Sequence, residues 1–270
     1  MHRSGTSLIT NWLHRCGLNV GESLLGPSLG NDEGHFEDID FFKMHLEILG
    51  DNNLHDSGLL INPAIVLSQA HKESIKNIIR QKNGSSDQWA WKDPRTCLFL
   101  DFYREAIPNA YQLIVFRDYQ SVVISLLKRT FGEICLQYTS RKGFFSRLVW
   151  DKYRRERQRE KFYNQNGTHF LKVWCYYNQL ILENINFLPD DRFLVVNYQM
   201  LNTLDAAVIG QIKNDWNFSL DPVPFSDIYK DGLLSKPFDV EKYFKDEELV
   251  GYARRLTQQL ESYAYQKSAV

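Results

Sequence analysis

The first residues with an evident chemical use form the stretch HRSGTS at positions 2–7, which runs directly into the apolar segment 8–13. Backbone N–H groups at a helix start have no partner inside the helix, and the helix dipole favours a negative charge there. Gly5 lets the backbone come close to a ligand. Arg3 brings a permanent positive charge with a planar fork of donors. The stretch therefore predicts an anion-binding loop formed by Arg3, Ser4, Gly5, Thr6 and Ser7.

Two other interpretations of this loop are considered. The loop differs from the G-x-x-x-x-G-K-[ST] loop of nucleotide triphosphatases, because the lysine and the first glycine are absent. A plainer alternative is an N-terminal tail in which a serine or threonine only caps the following helix. Residues further along the chain must decide between a cap and an anion site.

Acidic residues cluster in a second stretch, where four carboxylates fall within the seven residues 32–38. One interpretation is that they belong to the start of the next helix and face solvent. The other is that one of them is a general base on a loop facing the anion site, because a carboxylate can take a proton from an attacking group. Both interpretations stay open on these residues alone.

A third set of polar residues follows predicted strands. The sequence KDPR at 92–95 comes after a short strand at 89–91, and Arg117 ends the strand 111–116. Ligand groups in open α/β sheets lie at the carboxyl ends of strands. Ser125 stands eight residues beyond Arg117 on a predicted helix, and a strand–turn–helix that folds back can bring both to one ligand. The alternative for KDPR is a surface turn with an internal Asp–Arg pair. The alternative for Ser125 is an ordinary small residue of the helix.

The elements that must position these residues follow from the spacing of apolar side chains. Strands alternate with longer helices, which predicts the α/β class with a mainly parallel sheet and helices on both faces. The predicted strands are 18–21, 89–91, 111–116 and 192–196. The predicted helices are 7–16, 39–49, 64–82, 98–106, 121–129, 146–163, 168–187, 204–216 and 247–265.

Composition narrows the class of protein. The chain has 270 residues, of which 43% are hydrophobic, and 32 Lys+Arg balance 33 Asp+Glu. This balance argues against a nucleic-acid binder that acts through bulk charge. The sequence has no apolar run long enough to span a bilayer and no signal-peptide core. Its four cysteines are far apart, so we expect reduced, mostly buried thiols and a cytoplasmic location.

One segment departs from this charge balance. Residues 128–161 contain eleven Lys+Arg and four acidic residues. A run of charge is usually a solvated face; the alternative is a lid that attracts an anionic cofactor or an acidic substrate. We therefore expect a single unit over residues 1–270, with a helical basic insertion or lid around 130–165.

Taken together, these segments resemble the sulfotransferases that use 3′-phosphoadenosine 5′-phosphosulfate (PAPS). HRSGTS resembles the family's 5′-phosphosulfate loop, and IVFRDYQSVVISLLKR, from residue 114, resembles its 3′-phosphate motif. WKDPR is similar to the K-x-P turn of the carbohydrate sulfotransferases, and EGHFEDIDFF is similar to the E-x-H-F-F loop of the heparan-type enzymes. These segments occupy about the first half of the chain, and the second half has no recognisable match.

The resemblance implies a fold in more detail. It implies a three-layer sandwich around the parallel sheet, similar to that of the P-loop NTPases. The family's loop follows a buried first strand, whereas this sequence starts in the loop, so we expect that strand to be missing or truncated. A parallel sheet without it would leave backbone groups unpaired.

The resemblance also implies a role for each site residue. Glu33 is the expected catalytic base, with Glu37 second. Arg117 and Ser125 are expected to hold the 3′-phosphate, which distinguishes PAPS from ordinary adenine nucleotides. Lys92, together with the anion loop, suits the negative charge that builds up at the 5′-phosphate as it leaves.

The expected function is transfer of a sulfuryl group from PAPS to a hydroxyl or amine of a carbohydrate or other small acceptor. PAPS is the expected co-substrate and no metal is expected. The expected partner is a small-molecule or glycan acceptor, with no nucleic acid. One alternative is a P-loop nucleotide kinase or NTPase, which needs the lysine that the loop lacks. The other is a non-catalytic nucleotide-binding module left by truncation of the N-terminus.

Overall fold

The computed structural model describes residues 1–26, 34–140, 154–229 and 238–267. Within them the chain is α/β and mostly helical, with one two-stranded parallel sheet. The strands are β1 (Gln112–Val115) and β2 (Phe193–Val196). The helices are α1 (Thr6–Arg15), α2 (Ile39–Asp51), α3 (Gln69–Ser85), α4 (Leu100–Ala106), α5 (Tyr119–Ser140), α6 (Arg155–Ile185), α7 (Tyr198–Asn214) and α8 (Glu247–Lys267).

The two strands form the centre of the described fold. They run parallel in a register that pairs Gln112 with Phe193 and Val115 with Val196. Every residue of β2 is buried. A strand buried on both faces reads as a continuous apolar run, as Phe193–Val196 does in the sequence. This is why both strands could be predicted from apolar, β-branched residues alone.

Helices cover both faces of these strands. On one face Val115 and Leu194 pack in a buried cluster with side chains of α1 and α7, such as Trp12 and Ile209. On the other face Ile114 and Val195 pack with side chains of α6 and α8. Because successive residues of a strand point to opposite faces, one short apolar strand can hold two helical layers.

Two further apolar clusters complete the core. α5, α6 and α8 share one that includes the fully buried Trp174 and Tyr177. α2 and α3 form the other with the segment Pro94–Ala106, around Phe41. Burying one such large side chain contributes about 1.5–3 kcal/mol relative to exposure. Residues on both sides of the KDPR turn, such as Trp91 and Phe99, pack in the second cluster.

Several predicted boundaries are wrong. α3 begins after Ser68 and not near residue 64, because Ser68 and His71 form a reciprocal capping box there. The segments predicted as strands at 18–21 and 89–91 contribute only a single parallel bridge, between Asn19 and Trp89. The helices predicted at 146–163 and 168–187 are, in their described part, one helix, α6.

Across the described residues, none of the helices has the length and apolarity needed to cross a membrane. The four cysteines, all within the described ranges, form no disulfide, and Cys16, Cys135 and Cys175 are buried. The prediction of reduced, mostly buried thiols is therefore confirmed.

Candidate active site

The first helix begins at an unusual loop. Arg3 has a φ of 63° and Gly5, the residue before α1, has a φ of 92°. Gly5 makes no side-chain cap, so the alternative in which a serine or threonine caps the helix is wrong. A left-handed conformation at a non-glycine residue such as Arg3 costs about 1–3 kcal/mol and is held by its surroundings.

Arg3 joins the loop to the strand–helix segment predicted to bind phosphate. Its Nε donates to Ser125 Oγ at 2.8 Å, across 122 residues of sequence. Arg117 Nη1 donates to the backbone carbonyl of Arg3 at 3.5 Å. The structure therefore brings together the loop, the end of β1 and the buried face of α5.

The backbone of Arg117 is held by a side chain of α6. The indole of Trp174 on α6, which is fully buried, donates to the backbone carbonyl of Arg117 at 3.1 Å. Asp118 then accepts the amide of Ser121 at 2.7 Å at the start of α5. A buried aromatic donor and a capping carboxylate thus set the turn that follows β1.

A third arginine faces the same place. Burial lowers the pKa of Arg3, and the positive charges of Arg129 and Arg117 lower it further. Arg129 lies four residues after Ser125, so the two share a face of α5. Three guanidinium groups that repel one another around a helix N-terminus form a site suited to an anion.

The loop also buries two polar atoms. Ser4 is 1% exposed and His2 is 6% exposed. Within the described residues, Ser4 Oγ and His2 Nε2 have no hydrogen-bond partner. Buried polar atoms are normally satisfied, so an unpaired hydroxyl beside a helix N-terminus indicates a place for a ligand or a water molecule.

Lys92 reaches α1 from the KDPR turn. Its Nζ lies 3.2 Å from Ser7 Oγ and 3.1 Å from Glu37 Oε1. The Lys92 and Glu37 side chains are 12% and 6% exposed. Burial lowers the pKa of Lys92 and raises that of Glu37, while their mutual attraction acts in the opposite direction on each. This ion pair stands directly beside the first turn of α1.

A buried network supports the KDPR turn. Asp93 accepts from Arg95 at 3.1 Å and lies 3.1 Å from His45 Nδ1, and the other ring nitrogen of His45 is 2.8 Å from the hydroxyl of Tyr103. Although burial acts to raise the pKa of Asp93, its bonds to His45 and Arg95 hold that pKa below its ordinary value. The turn is thereby tied to α2 and α4.

The loop that carries Glu37 is also fixed at both sides. Its backbone pairs with Leu25, which donates to the carbonyl of Glu37 at 2.8 Å. Asp38 caps α2 by accepting the amides of Asp40 and Phe41, and it also accepts from Lys82 Nζ at 2.7 Å. Asp38 thus stands at the start of α2, as the first interpretation of the acidic cluster expected, but it is buried and does not face solvent.

His35 lies between these groups. Its Nδ1 is 4.0 Å from Glu37 Oε1, and its backbone carbonyl accepts from Ser7 Oγ at 3.1 Å. Burial, and then the charges of Lys92, Arg129, Arg3 and Arg95, lower the pKa of His35 to about 4. The ring is therefore neutral at physiological pH.

Apart from Ser4, Gly5 and Thr6, which form the loop and the start of α1, the predicted site residues divide into three groups. Glu33 falls outside the described residues. Glu37, Lys92 and Ser7 meet at one end of α1, and Arg3, Arg117 and Ser125 meet beside it. Sequence reasoning missed His35, His45 and Arg129 as site residues, and it noted Arg95 only as part of the KDPR turn. His35 stands within the EGHFE segment and Arg129 one helical turn from Ser125, so both had a signal; His45 had none beyond a place in α2.

One residue of the basic segment 128–161, Arg129, lies close to this site. Of its described cations, Lys128, Arg154, Arg155, Arg157 and Lys161 are exposed, which agrees with a solvated face. Arg159 pairs with Glu156 and Glu160 on its own helix. Residues 141–153, the middle of the lid predicted at 130–165, lie outside the described residues, so the lid stays a prediction.

One group of side chains in the described ranges could approach a metal ion: Glu47, Asp51 and His71. His71 Nδ1 accepts the amide of Ser68, so its Nε2 carries the proton and donates to Asp51 at 2.9 Å. A metal on Nε2 would require Nδ1 to carry the proton and face another donor. The histidine serves as a helix cap instead.

No family model matches this chain, and neither a curated protein nor a solved structure matches it.

Proposed function

We propose that this protein is a PAPS-dependent sulfotransferase that moves a sulfuryl group to a hydroxyl or amine of a carbohydrate or other small acceptor. The observation that carries the proposal is the hydrogen bond from Arg3 to Ser125, with Arg117 on the carbonyl of Arg3. It joins two segments that the resemblance assigns to the 5′- and 3′-phosphates of one nucleotide. Helices on both faces of β1 and β2 are compatible with the three-layer, P-loop-like fold that belongs to this proposal.

The 3′-phosphate would bind at Arg117 and Ser125. Ser125 is 7% exposed and supplies a hydroxyl, while the guanidinium groups of Arg3, Arg117 and Arg129 supply fixed positive charge. Arginine suits phosphate because its planar fork can donate two parallel hydrogen bonds. A nucleotide with an anion at both the 5′- and 3′-positions matches a site with two groups of cations.

The 5′-phosphosulfate would lie at the start of α1. Negative charge builds up on the oxygen that leaves with the 5′-phosphate, and preorganised donors stabilise it there. Lys92 Nζ, 3.2 Å from Ser7 Oγ, is the cation at this position. Amides of the loop after Gly5 and the unpaired hydroxyl of Ser4 supply further donors.

A proton acceptor must complete the reaction as the acceptor attacks sulfur. The resemblance proposes Glu33 for this role, with Glu37 second. A positioned base typically contributes about 10²–10⁴-fold in rate. The segment that carries Glu37 contacts the first turn of α1, where Ser7 Oγ donates to the carbonyl of His35.

The rival reading as a nucleotide kinase or NTPase has one observation in its favour. Lys92 approaches the α1 loop from another segment and could stand in for the missing P-loop lysine. The kinase or NTPase hypothesis predicts tight binding of ATP with magnesium, whereas the sulfotransferase hypothesis predicts a preference for a nucleotide with a 3′-phosphate.

Calorimetry with adenosine 3′,5′-bisphosphate and with ATP separates the two. We expect the bisphosphate to bind more tightly. Arg117→Ala should weaken the bisphosphate by about 10- to 100-fold, since a hydrogen bond to a charged group is worth about 1.5–3 kcal/mol. The same substitution should leave adenosine 5′-monophosphate almost unaffected.

Arg80→Ala is the matched control, because Arg80 is 66% exposed on α3, and it should change neither affinity. Preference for ATP, or equal losses for both nucleotides in Arg117→Ala, would refute the proposal. Transfer of labelled sulfate from PAPS to a panel of glycans and phenols then distinguishes an enzyme from a non-catalytic binding module.

A further inference from the structure

We propose that the cleft between α5 and α6 is a docking site for an acidic peptide segment of a partner protein, which places one large apolar side chain in the cleft. The inference goes beyond the proposed sulfotransferase function and does not depend on it. It rests on three features of the cleft: its apolar interior, its basic border and its separation from the nucleotide site.

The two helices leave a cleft of about 180 Å³ between them. Its inner part is apolar: the rings of Phe131 and Phe162 lie with their centroids 5.8 Å apart, and Ile134, which is 41% exposed, stands beside them. The polar residues that line it are Gln158, Lys161 and Gln165 of α6. Pockets for drug-sized ligands measure about 300–1,000 Å³, so this smaller cleft suits a single aromatic or branched aliphatic side chain.

The cleft lies on the opposite side of α5 from the nucleotide site. Ser125, which accepts a hydrogen bond from Arg3, precedes Ile134 by nine residues. Nine residues of an α-helix are about two and a half turns, so these two side chains leave the helix in opposite directions. A ligand in the cleft therefore does not share the site that Arg3 and Ser125 form.

The border of the cleft is basic. Residues 154–161 contain five Lys+Arg and two acidic residues. Both acids, Glu156 and Glu160, pair with Arg159. Glu160 also accepts from the hydroxyl of Tyr243 at 2.9 Å. The other cations of this stretch are exposed: Arg154, Arg155, Arg157 and Lys161. Their charge complements a partner that carries Asp or Glu around its apolar residue.

The shape of the cleft favours a peptide side chain over a lipid bilayer. A helix that binds a bilayer inserts apolar side chains that project from its surface. Here Phe131 is buried and Phe162 is half-buried, so the apolar surface is recessed. An apolar anchor in a pocket with a polar rim is the usual arrangement at the centre of a protein–protein interface.

The test is selection of a random peptide library displayed on phage against the immobilised protein, followed by fluorescence polarisation with the selected peptides. We expect these peptides to contain one large apolar residue beside several Asp or Glu. They should bind equally well with and without saturating adenosine 3′,5′-bisphosphate. The proposal is overturned if no peptide is enriched, if the enriched peptides lack acidic residues, or if the bisphosphate displaces them.

Substitutions locate the binding site. Ile134→Glu and Lys161→Glu should each weaken the selected peptides by about 10-fold or more, as loss of an interface anchor or of its charge partner does. Leu136→Glu is the matched control for the first, because Leu136 is 54% exposed but lies two residues further along, on another side of α5. Lys76→Glu is the control for the second, because Lys76 is 45% exposed on α3.

Both controls should keep wild-type affinity, and circular dichroism should show that all four variants fold, since the substituted side chains are exposed. Equal losses in variants and controls would refute the assignment of the cleft. Sedimentation with vesicles of phosphatidylcholine and phosphatidylserine examines a membrane as the occupant, and light scattering examines a second copy of the chain. Vesicle binding or self-association that Ile134→Glu abolishes would overturn the proposal of a peptide partner.

Discussion

The buried ion pair between Lys92 and Glu37 stabilises the fold and also involves two residues of the proposed site. Taking two charges out of water is costly, and mutual attraction offsets this only while both partners are present. In this pair, Lys92 also contacts Ser7. We therefore expect a substitution at Glu37 to lower the free energy of unfolding, whatever its effect on the reaction.

We expect Glu37→Gln to lower the free energy of unfolding by about 3 kcal/mol, because it leaves the Lys92 ammonium buried without its closest counter-charge. Urea denaturation measures the change. The double variant with Lys92→Met should recover part of the loss. Glu73→Gln is the control: Glu73 and Lys76 form an exposed pair, with side chains 48% and 45% exposed, and the loss there should stay below about 1 kcal/mol. Equal losses at the two sites would contradict this account.

The site residues that sequence reasoning identified are those whose position relative to an element is regular. Arg117 ends a strand and Ser125 lies on the helix after it, and parallel strands place such ends together. His45 and the contacts of Arg95 could not be predicted this way, because they depend on a buried network around Asp93 that joins separate segments. No local pattern encodes such a network.

At the scale of elements, the core of α6 depends on the absence of a side chain. Gly167 lies inside this helix, where an added Cβ would come within 2.9 Å of the backbone oxygen of Tyr243. The Tyr243 segment therefore packs directly on the helix backbone. Helix propensity alone disfavours glycine at this position by about 1 kcal/mol, so close packing is what explains it.

Gly167→Ala should therefore destabilise the protein by about 1–3 kcal/mol, the usual cost of overpacking, despite its better helix propensity. Gly210 in α7 provides the matched control, since an added Cβ there meets no atom within 4 Å. Gly210→Ala should stabilise by about 0.5–1 kcal/mol. Thermal unfolding followed by circular dichroism measures both; a stabilised Gly167→Ala would show that the segment moves aside freely.

Helices and strands could be predicted from the sequence where the pattern of apolar residues and the residues at the ends of the element indicate the same bounds. β1, β2, α1, α2 and α8 were found close to their observed bounds. α3 was started too early because its cap uses His71 in place of the glutamate or glutamine typical of a capping box. The segments at 18–21 and 89–91 have strand-like residues, yet a strand needs a paired neighbour, and that pairing is not a local property.

At the scale of the whole molecule, buried neutral histidines link stability to pH. Burial is the first cause that lowers the pKa of His2 and of His35, with neighbouring cations adding to it. In the unfolded chain both would titrate near 6.5. Below that value the unfolded state binds protons that the folded state does not, so stability is lost as pH falls.

The free energy of unfolding should therefore decrease between pH 6.5 and about 4, the interval between the ordinary pKa of His35 and its value in the fold. His35→Gln should flatten this decrease, and His55→Gln should leave it unchanged. Urea denaturation at half-unit steps of pH measures the slopes. Identical slopes in wild type and His35→Gln would contradict the buried, neutral state of this ring.

The contact between Arg3 and Ser125 spans 122 residues, and this has a consequence for the order of folding. Closing so large a loop costs conformational entropy that only later contacts repay. The neighbouring packing of α5 on α6 involves shorter separations and can form without it. We therefore expect Arg3, Arg117 and Arg129 to come together late in folding and to separate first in unfolding. An anion bound between them would then stabilise the folded position of the N-terminal segment by mass action.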